Sequence, residues 1–174
     1  MTTKMRRPAP RTLADVSDPD GDTSYPRQLL RKGDTALILF AAGFHGRQDA
    51  WHCADRGLAG TCVDTDGALL AEMEAVYPEG WEWHEADVFS FAAHAALEER
   101  MWDVVSLDPF TNLMDRCAED LPMWCLLARR AVILGSGRFT VVDAHVPAGW
   151  RISDQRFRSD FHGGVCWRVL EPVT

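Results

Sequence analysis

"TALILFAAGFHG", residues 35–46, decides how the rest of the chain is read. Residues 35–43 form a continuous apolar run that closes on small side chains. A strand with one wet face alternates apolar and polar residues, whereas a parallel strand covered by helices on both faces does not. The run therefore predicts a central parallel strand, and the neighbouring segments agree. "RQDAWHCADRG" (47–57) has helical spacing and a glycine stop at Gly57. "LAGTCVDTD" (58–66) reads as a second strand ending in two acids. "GALLAEMEAVYP" (67–78) reads as an amphipathic helix closed by Pro78.

Further along, "GWEWHEADVF" (80–89) alternates and is expected to be a third strand. "SFAAHAALEERM" (90–101) is a helix with Ser90 as its expected N-cap. "WDVVSLD" (102–108) is a fourth strand. In "AEDLPMWCLLARRAVILGSGRFTVVDA" (118–144) a strand fits at either "AVILG" or "RFTVVDA". The favoured reading is a helix from about Pro122 to Ile133, a Gly-Ser-Gly turn, and a strand at 138–144, because Pro122 suits a first helical turn and Gly135 a helix stop. "WRISDQRFR" (150–158) and "GVCWRVLEP" (164–172) flank a loop with Gly163-Gly164 and read as a hairpin. Repeated strand–helix units followed by a hairpin imply an α/β three-layer sandwich, with a mostly parallel sheet extended by an antiparallel hairpin.

Composition sets outer bounds. The 174 residues are 47% hydrophobic and 25% charged, ordinary for a soluble globular chain, and suit one body at 33–174. Residues 1–32 form an N-terminal extension, expected to be partly disordered over the Pro-, Asp-, Ser- and Thr-rich stretch before residue 25. No apolar run approaches the roughly 20 residues that span a bilayer, and "MTTKMRRPAPRTL" lacks the apolar core of a secretory signal. A cytoplasmic location and no membrane partner are expected. The five cysteines form no C-x-x-C pair and the six histidines show no zinc-ligand spacing, so free buried thiols and no metal are expected. Net charge is −8, with +2 on residues 1–35 and −10 on the remainder. So acidic a body argues against a broad, non-specific grip on a phosphate backbone.

In a doubly wound sheet, ligands sit beyond the carboxyl ends of the strands, where the strand order reverses. The residues just after each strand are therefore the candidates for chemistry. Ala41, Ala42, Gly43, Phe44, His45 and Gly46 follow the first strand, where small residues let a backbone and a helix N-terminus approach a ligand. Asp64 ends the second strand and can accept both hydroxyls of a ribose. Asp87, ending the third, can accept from an adenine amino group or simply cap a helix. Asp108-Pro109-Phe110 follow the fourth.

These strand ends, in this order, resemble class I S-adenosylmethionine-dependent methyltransferases of Rossmann-like fold over about residues 33–172. "LILFAAGFHG" looks like the glycine-rich first motif, "GTCVDTD" like the ribose-binding strand end, and "EADVF" like the adenine-contacting segment. "DVVSLDPF" looks like the fourth motif, and "GSGRFTVVD" like the glycine turn into a fifth strand. The closing hairpin is a mark of that family, in a seven-stranded sheet. The resemblance implies S-adenosyl-L-methionine as cofactor, contacted by 41–46 and by Asp64, Thr65, Asp87 and Val88. His45 either supplies a polar contact to the methionine end or faces solvent. Asp66 is expected to cap the next helix.

Asp108-Pro109-Phe110 resembles the Asp-Pro-Pro-Tyr/Phe motif of enzymes that methylate exocyclic amino groups, with one proline absent. There the carboxylate and a nearby carbonyl accept the amino hydrogens while the ring stacks on the base. The implied activity is methyl transfer to an amino-bearing acceptor, a nucleic-acid base or a small molecule. Tyr25, Arg27 and Arg31 would then belong to a lid, and a protein partner or homodimer stays open. The first motif also departs from the pattern: the strand reads Leu37-Ile38-Leu39 without an acid, and only two glycines follow. A catalytically degenerate member acting by cofactor or protein binding is thus a second reading. An NAD(P)-dependent oxidoreductase is a third, disfavoured by the hairpin.

Overall fold

The structure, a computed structural model, describes residues 25–109, 111–135, 142–157 and 166–174. Its strands are β1 (Thr35–Leu39), β2 (Ala59–Asp64), β3 (Glu82–Glu85), β4 (Trp102–Leu107), β5 (Ala128–Gly135), β6 (Trp150–Phe157) and β7 (Cys166–Pro172). Its α-helices, where named, are α1 (Phe44–Asp55), α2 (Gly67–Glu74), α3 (Val88–Leu97), α4 (Met114–Glu119) and α5 (Leu121–Leu127). One seven-stranded sheet runs β3-β2-β1-β4-β5-β7-β6. The first five in that order are parallel, and β7 is antiparallel to both β5 and β6.

Alternation along the central strands divides the core. Leu37, Leu39, Val105 and Leu107 pack with Phe89, Trp124 and Leu127 from α3 and α5. Ala36, Ile38 and Val104 pack on the other face with Ala50, Cys53, Leu70 and Met73 from α1 and α2, together with Tyr25 and Trp167. Because successive side chains point to opposite faces and both faces are covered, no polar position is left in "ALIL". That explains the apolar run, and the three-layer sandwich follows from it.

Several boundaries differ from the sequence reading, and the largest correction concerns β5. The chain leaves α5 at Leu127, not at Ile133, and the strand is "ARRAVILG". Val132, Ile133 and Leu134 pair with Val105, Ser106 and Leu107 on one side and with Leu170, Val169 and Arg168 on the other. A short apolar run buried between two strands cannot be told from a buried helix by periodicity alone. The expected strand at 138–144 falls partly outside the described residues, and Val142 and Asp143 are helical. Pro122 does open its helix, as its fixed φ and missing N–H favour.

At β1 the strand stops at Leu39, because Phe40 takes φ 59°, and α1 begins at Phe44 instead of 47. At β3 the strand covers only Glu82–Glu85, and Val88 and Phe89 belong to α3. The N-cap of α3 is Asp87, not Ser90: the Ser90 N–H and hydroxyl both donate to the Asp87 carboxylate at 2.9 Å. Asp66 caps α2 by accepting from the Leu69 N–H at 3.1 Å, as expected. The hairpin forms, while its Gly163-Gly164 loop lies outside the described residues. So do residues 1–24 of the N-terminal extension.

Candidate functional site

The register of the sheet brings the strand ends to one level. Leu39 sits opposite both Val63 and Leu107, and Leu107 sits opposite Leu134. The next residue on each strand is therefore Phe40, Asp64, Asp108 and Gly135, a row along the carboxyl edge. Strand order runs β1-β2-β3 in one direction and β4-β5 in the other, so the reversal, and the crevice it opens, lies between β1 and β4.

On the β1 wall, Ala41 and Ala42 are buried and Gly43 is the N-cap of α1. Gly46 lies so close to the turn that a Cβ there would meet the Phe40 carbonyl oxygen at 2.1 Å. This close approach requires glycine and keeps the first turn of α1 tucked over the strand end. Phe44 and His45 open α1, but their side chains lie outside the described set.

Asp64 fixes this turn to β2. One carboxylate oxygen accepts the Ala42 N–H at 3.0 Å and the other accepts the Asp66 N–H at 3.0 Å. An ionised carboxylate has about four lone-pair sites, so both oxygens retain capacity for hydroxyl donors. Thr65 beside it is exposed. Asp87 is exposed too; the Ser90 N–H, then the Ser90 hydroxyl, hold its carboxyl below the usual range, with a smaller contribution from Arg116 and against the opposing effect of burial. Val88 is buried in α3. Arg116 of α4 places its guanidinium 3.6 Å from the centroid of the Phe89 ring, a cation–π contact beside Asp87. Nothing in the sequence pattern marked Arg116.

On the β4 wall, Asp108 follows the strand directly and Pro109 is buried. Asp108 lies over Gly135 at the end of β5, where an added Cβ would sit 2.6 Å from the carboxyl carbon. Phe110, the third residue of the candidate motif, lies outside the described residues. Arg168, opposite Leu134, forks onto both Asp143 oxygens at 3.0 Å and ties the chain after β5 to the hairpin.

The carboxyl edge thus brings together 41–46, Asp64, Thr65, Asp87, Val88, Asp108 and Pro109. It does not gather Arg27 and Arg31 there. Arg27 pairs with Asp55, and the Arg31 N–H donates to Asp34, both at the opposite edge of the sheet. Tyr25 is buried beneath α1. A cavity of about 370 Å³ also opens on that opposite edge, lined by Thr35, Glu98, Arg100, Trp102 and Arg129 among others. Its cations are already met, Arg100 by Glu82 and Arg129 by Asp103. Among the described residues, no group of three or more His, Cys, Asp or Glu is placed to hold a metal, and no helix is long and apolar enough to cross a membrane.

No family model and no curated protein matches the sequence. Solved structures do match the fold. The candidate methyltransferase SMU.776, solved as a complex with S-adenosylhomocysteine, superposes with a TM-score of 0.64 at 16% identity, covering 80% of this chain and 45% of its own. TrmN from Thermus thermophilus gives 0.61 at 16%, covering 82% and 45%. A candidate tRNA methyltransferase from Streptococcus pneumoniae gives 0.59 at 11%, covering 84% and 67%. The chain spans a little under half the length of the first two. It has the Rossmann-like fold of S-adenosylmethionine-dependent methyltransferases.

Proposed function

We propose that the protein is an S-adenosylmethionine-dependent methyltransferase acting on an amino-bearing acceptor. The observation that carries this reading is the carboxyl-edge row itself. Asp64 is bonded to the Ala42 N–H, and Asp108 stands on the other side of the reversal point. The fit to the cofactor rests on chemistry present in the chain. The turn at Gly43–Gly46 packs on the Phe40 carbonyl and opens α1, whose N-terminal N–H groups can face a ligand, and Asp64 keeps lone pairs for two ribose hydroxyls. Asp87, with Thr65 and Val88 beside it, would meet the adenine. S-adenosylmethionine, when bound, supplies a methyl group on a positively charged sulfur.

The contribution of the chain is to bind and orient. Asp108 would accept a hydrogen from the acceptor's amino group, aiming the nitrogen lone pair at the donor, and Pro109 stiffens the chain that carries it. Phe110 is assigned the stacking role. The Streptococcus pneumoniae neighbour is a candidate tRNA methyltransferase, so a base in structured RNA is one acceptor class and a small aromatic amine the other. The acidic body favours acceptors gripped at a few points over a continuous phosphate track.

Incubation with methyl-labelled cofactor and a panel of tRNA, rRNA and small aromatic amines tests the proposal. Label is expected on one class, with Asp108→Ala lowering transfer by about 100-fold while S-adenosylhomocysteine binding persists. Cofactor binding without transfer to any acceptor would instead favour the degenerate, binding-only reading, which the acid-free strand Leu37–Leu39 and the single proline after Asp108 motivate. The antiparallel hairpin of β6 and β7 weighs against the nicotinamide-dependent alternative.

A further inference from the structure

Ser106 is the one polar residue inside "VVSL", and it is fully buried in the middle of the sheet. A buried hydroxyl needs partners, and it has two. It accepts from the Tyr25 hydroxyl at 3.1 Å and donates to Asp49 of α1 at 2.7 Å. Asp49 is itself 0% exposed and Tyr25 1%. The hydrogen bonds run one way, from phenol to serine to the Asp49 side chain. Tyr25 also stacks on His52 of α1 at 4.8 Å and meets Trp167 of β7 edge-on at 5.1 Å.

The positions of the two inner partners matter. Asp49 is three residues beyond Gly46, at the foot of the glycine turn, and Ser106 is two residues before Asp108. Their hydrogen bond therefore spans the reversal point and links the two walls of the carboxyl-edge site. Apolar contact between α1 and β4 would hold the elements together but would allow sliding. A hydrogen bond between buried groups is directional and fixes one separation.

We propose that Asp49, Ser106 and Tyr25 are positioning residues that set the distance between the glycine turn and Asp108. This inference rests on the methyltransferase reading, in which those walls carry donor and acceptor. There a misplacement of about 1 Å costs about 100-fold in rate.

Hydrogen exchange on the full-length chain tests the tie without any ligand. In Ser106→Ala, amides at 40–48 and at 107 and 108 should exchange about tenfold faster while those of β2 hold their rate. Asp49→Asn, which still offers an acceptor, should stay near wild type, and Asp49→Leu should repeat the serine effect. Uniform acceleration that includes β2, or no acceleration at the two walls, would overturn the proposal. Where the wild type turns over, Ser106→Ala and Tyr25→Phe should lower kcat by about tenfold or more with little change in the KM for the cofactor; an unchanged kcat would overturn it too. A wild type that fails to bind S-adenosylhomocysteine removes the methyltransferase reading, and the exchange result still decides the tie.

Discussion

Gly135 and Asp108 show how one missing methyl group shapes the site. A Cβ at Gly135 would sit 2.6 Å from the Asp108 carboxyl carbon, so the carboxylate occupies space that any other residue would take. Gly135→Ala should therefore swing Asp108 out of place at a cost of about 1 kcal/mol in stability while methyl transfer falls much further. Equal and small losses in both would show that Asp108 is not the acceptor contact. Asp64 is a different case, because the carboxylate proposed to meet the ribose also holds the fold. Asp64→Ala strands the Ala42 and Asp66 N–H groups and should cost about 1–3 kcal/mol by urea unfolding. Asp64 was legible in the sequence as the acid closing a strand. Gly135 was not: its role depends on the neighbouring strand, and in the sequence it reads as a helix stop and the start of a glycine turn.

Among the elements, the ends of β3 and β5 carry the lessons. The sequence shows that strands and helices alternate, because a helix-covered parallel strand has no polar position. It does not show where "LLARRAVIL" changes from helix to strand, since that is settled by pairing with β4 and β7 across long sequence distances. Asp87 illustrates the converse: two readings were open, and its bonds to Ser90 establish the capping one while leaving its surface exposed for another. Its carboxyl is held below the usual range, chiefly by the Ser90 N–H. A depressed folded value means the stabilising contribution is complete above the unfolded value of about 4 and fades as pH falls through the folded one. Asp87→Ala should thus melt lower by the equivalent of about 1 kcal/mol at pH 7, with the gap closing at the acid end. A gap of the same size at pH 3 would show that the carboxylate charge contributes nothing to the cap.

For the whole molecule, two packed layers around one sheet account for the thiols as well as the site. Burial pushes Cys117 and Cys125 up to about 12 and raises Cys53 and Cys62 further from reactivity. An aromatic disulfide reagent at pH 8 should therefore leave these four untouched until the chain is unfolded. Rapid modification of any of them in the native protein would contradict the packing. The same two layers leave the carboxyl edge as the place where Gly43–Gly46, Asp64, Asp87 and Asp108 meet, and the central claim is that this edge holds S-adenosylmethionine. Calorimetric titration of the wild type and of Asp64→Ala with S-adenosylhomocysteine tests it most directly. One site of about micromolar affinity, weakened about tenfold or more by the substitution, is the predicted result. No heat of binding in the wild type, or equal affinity in the two proteins, would contradict the account.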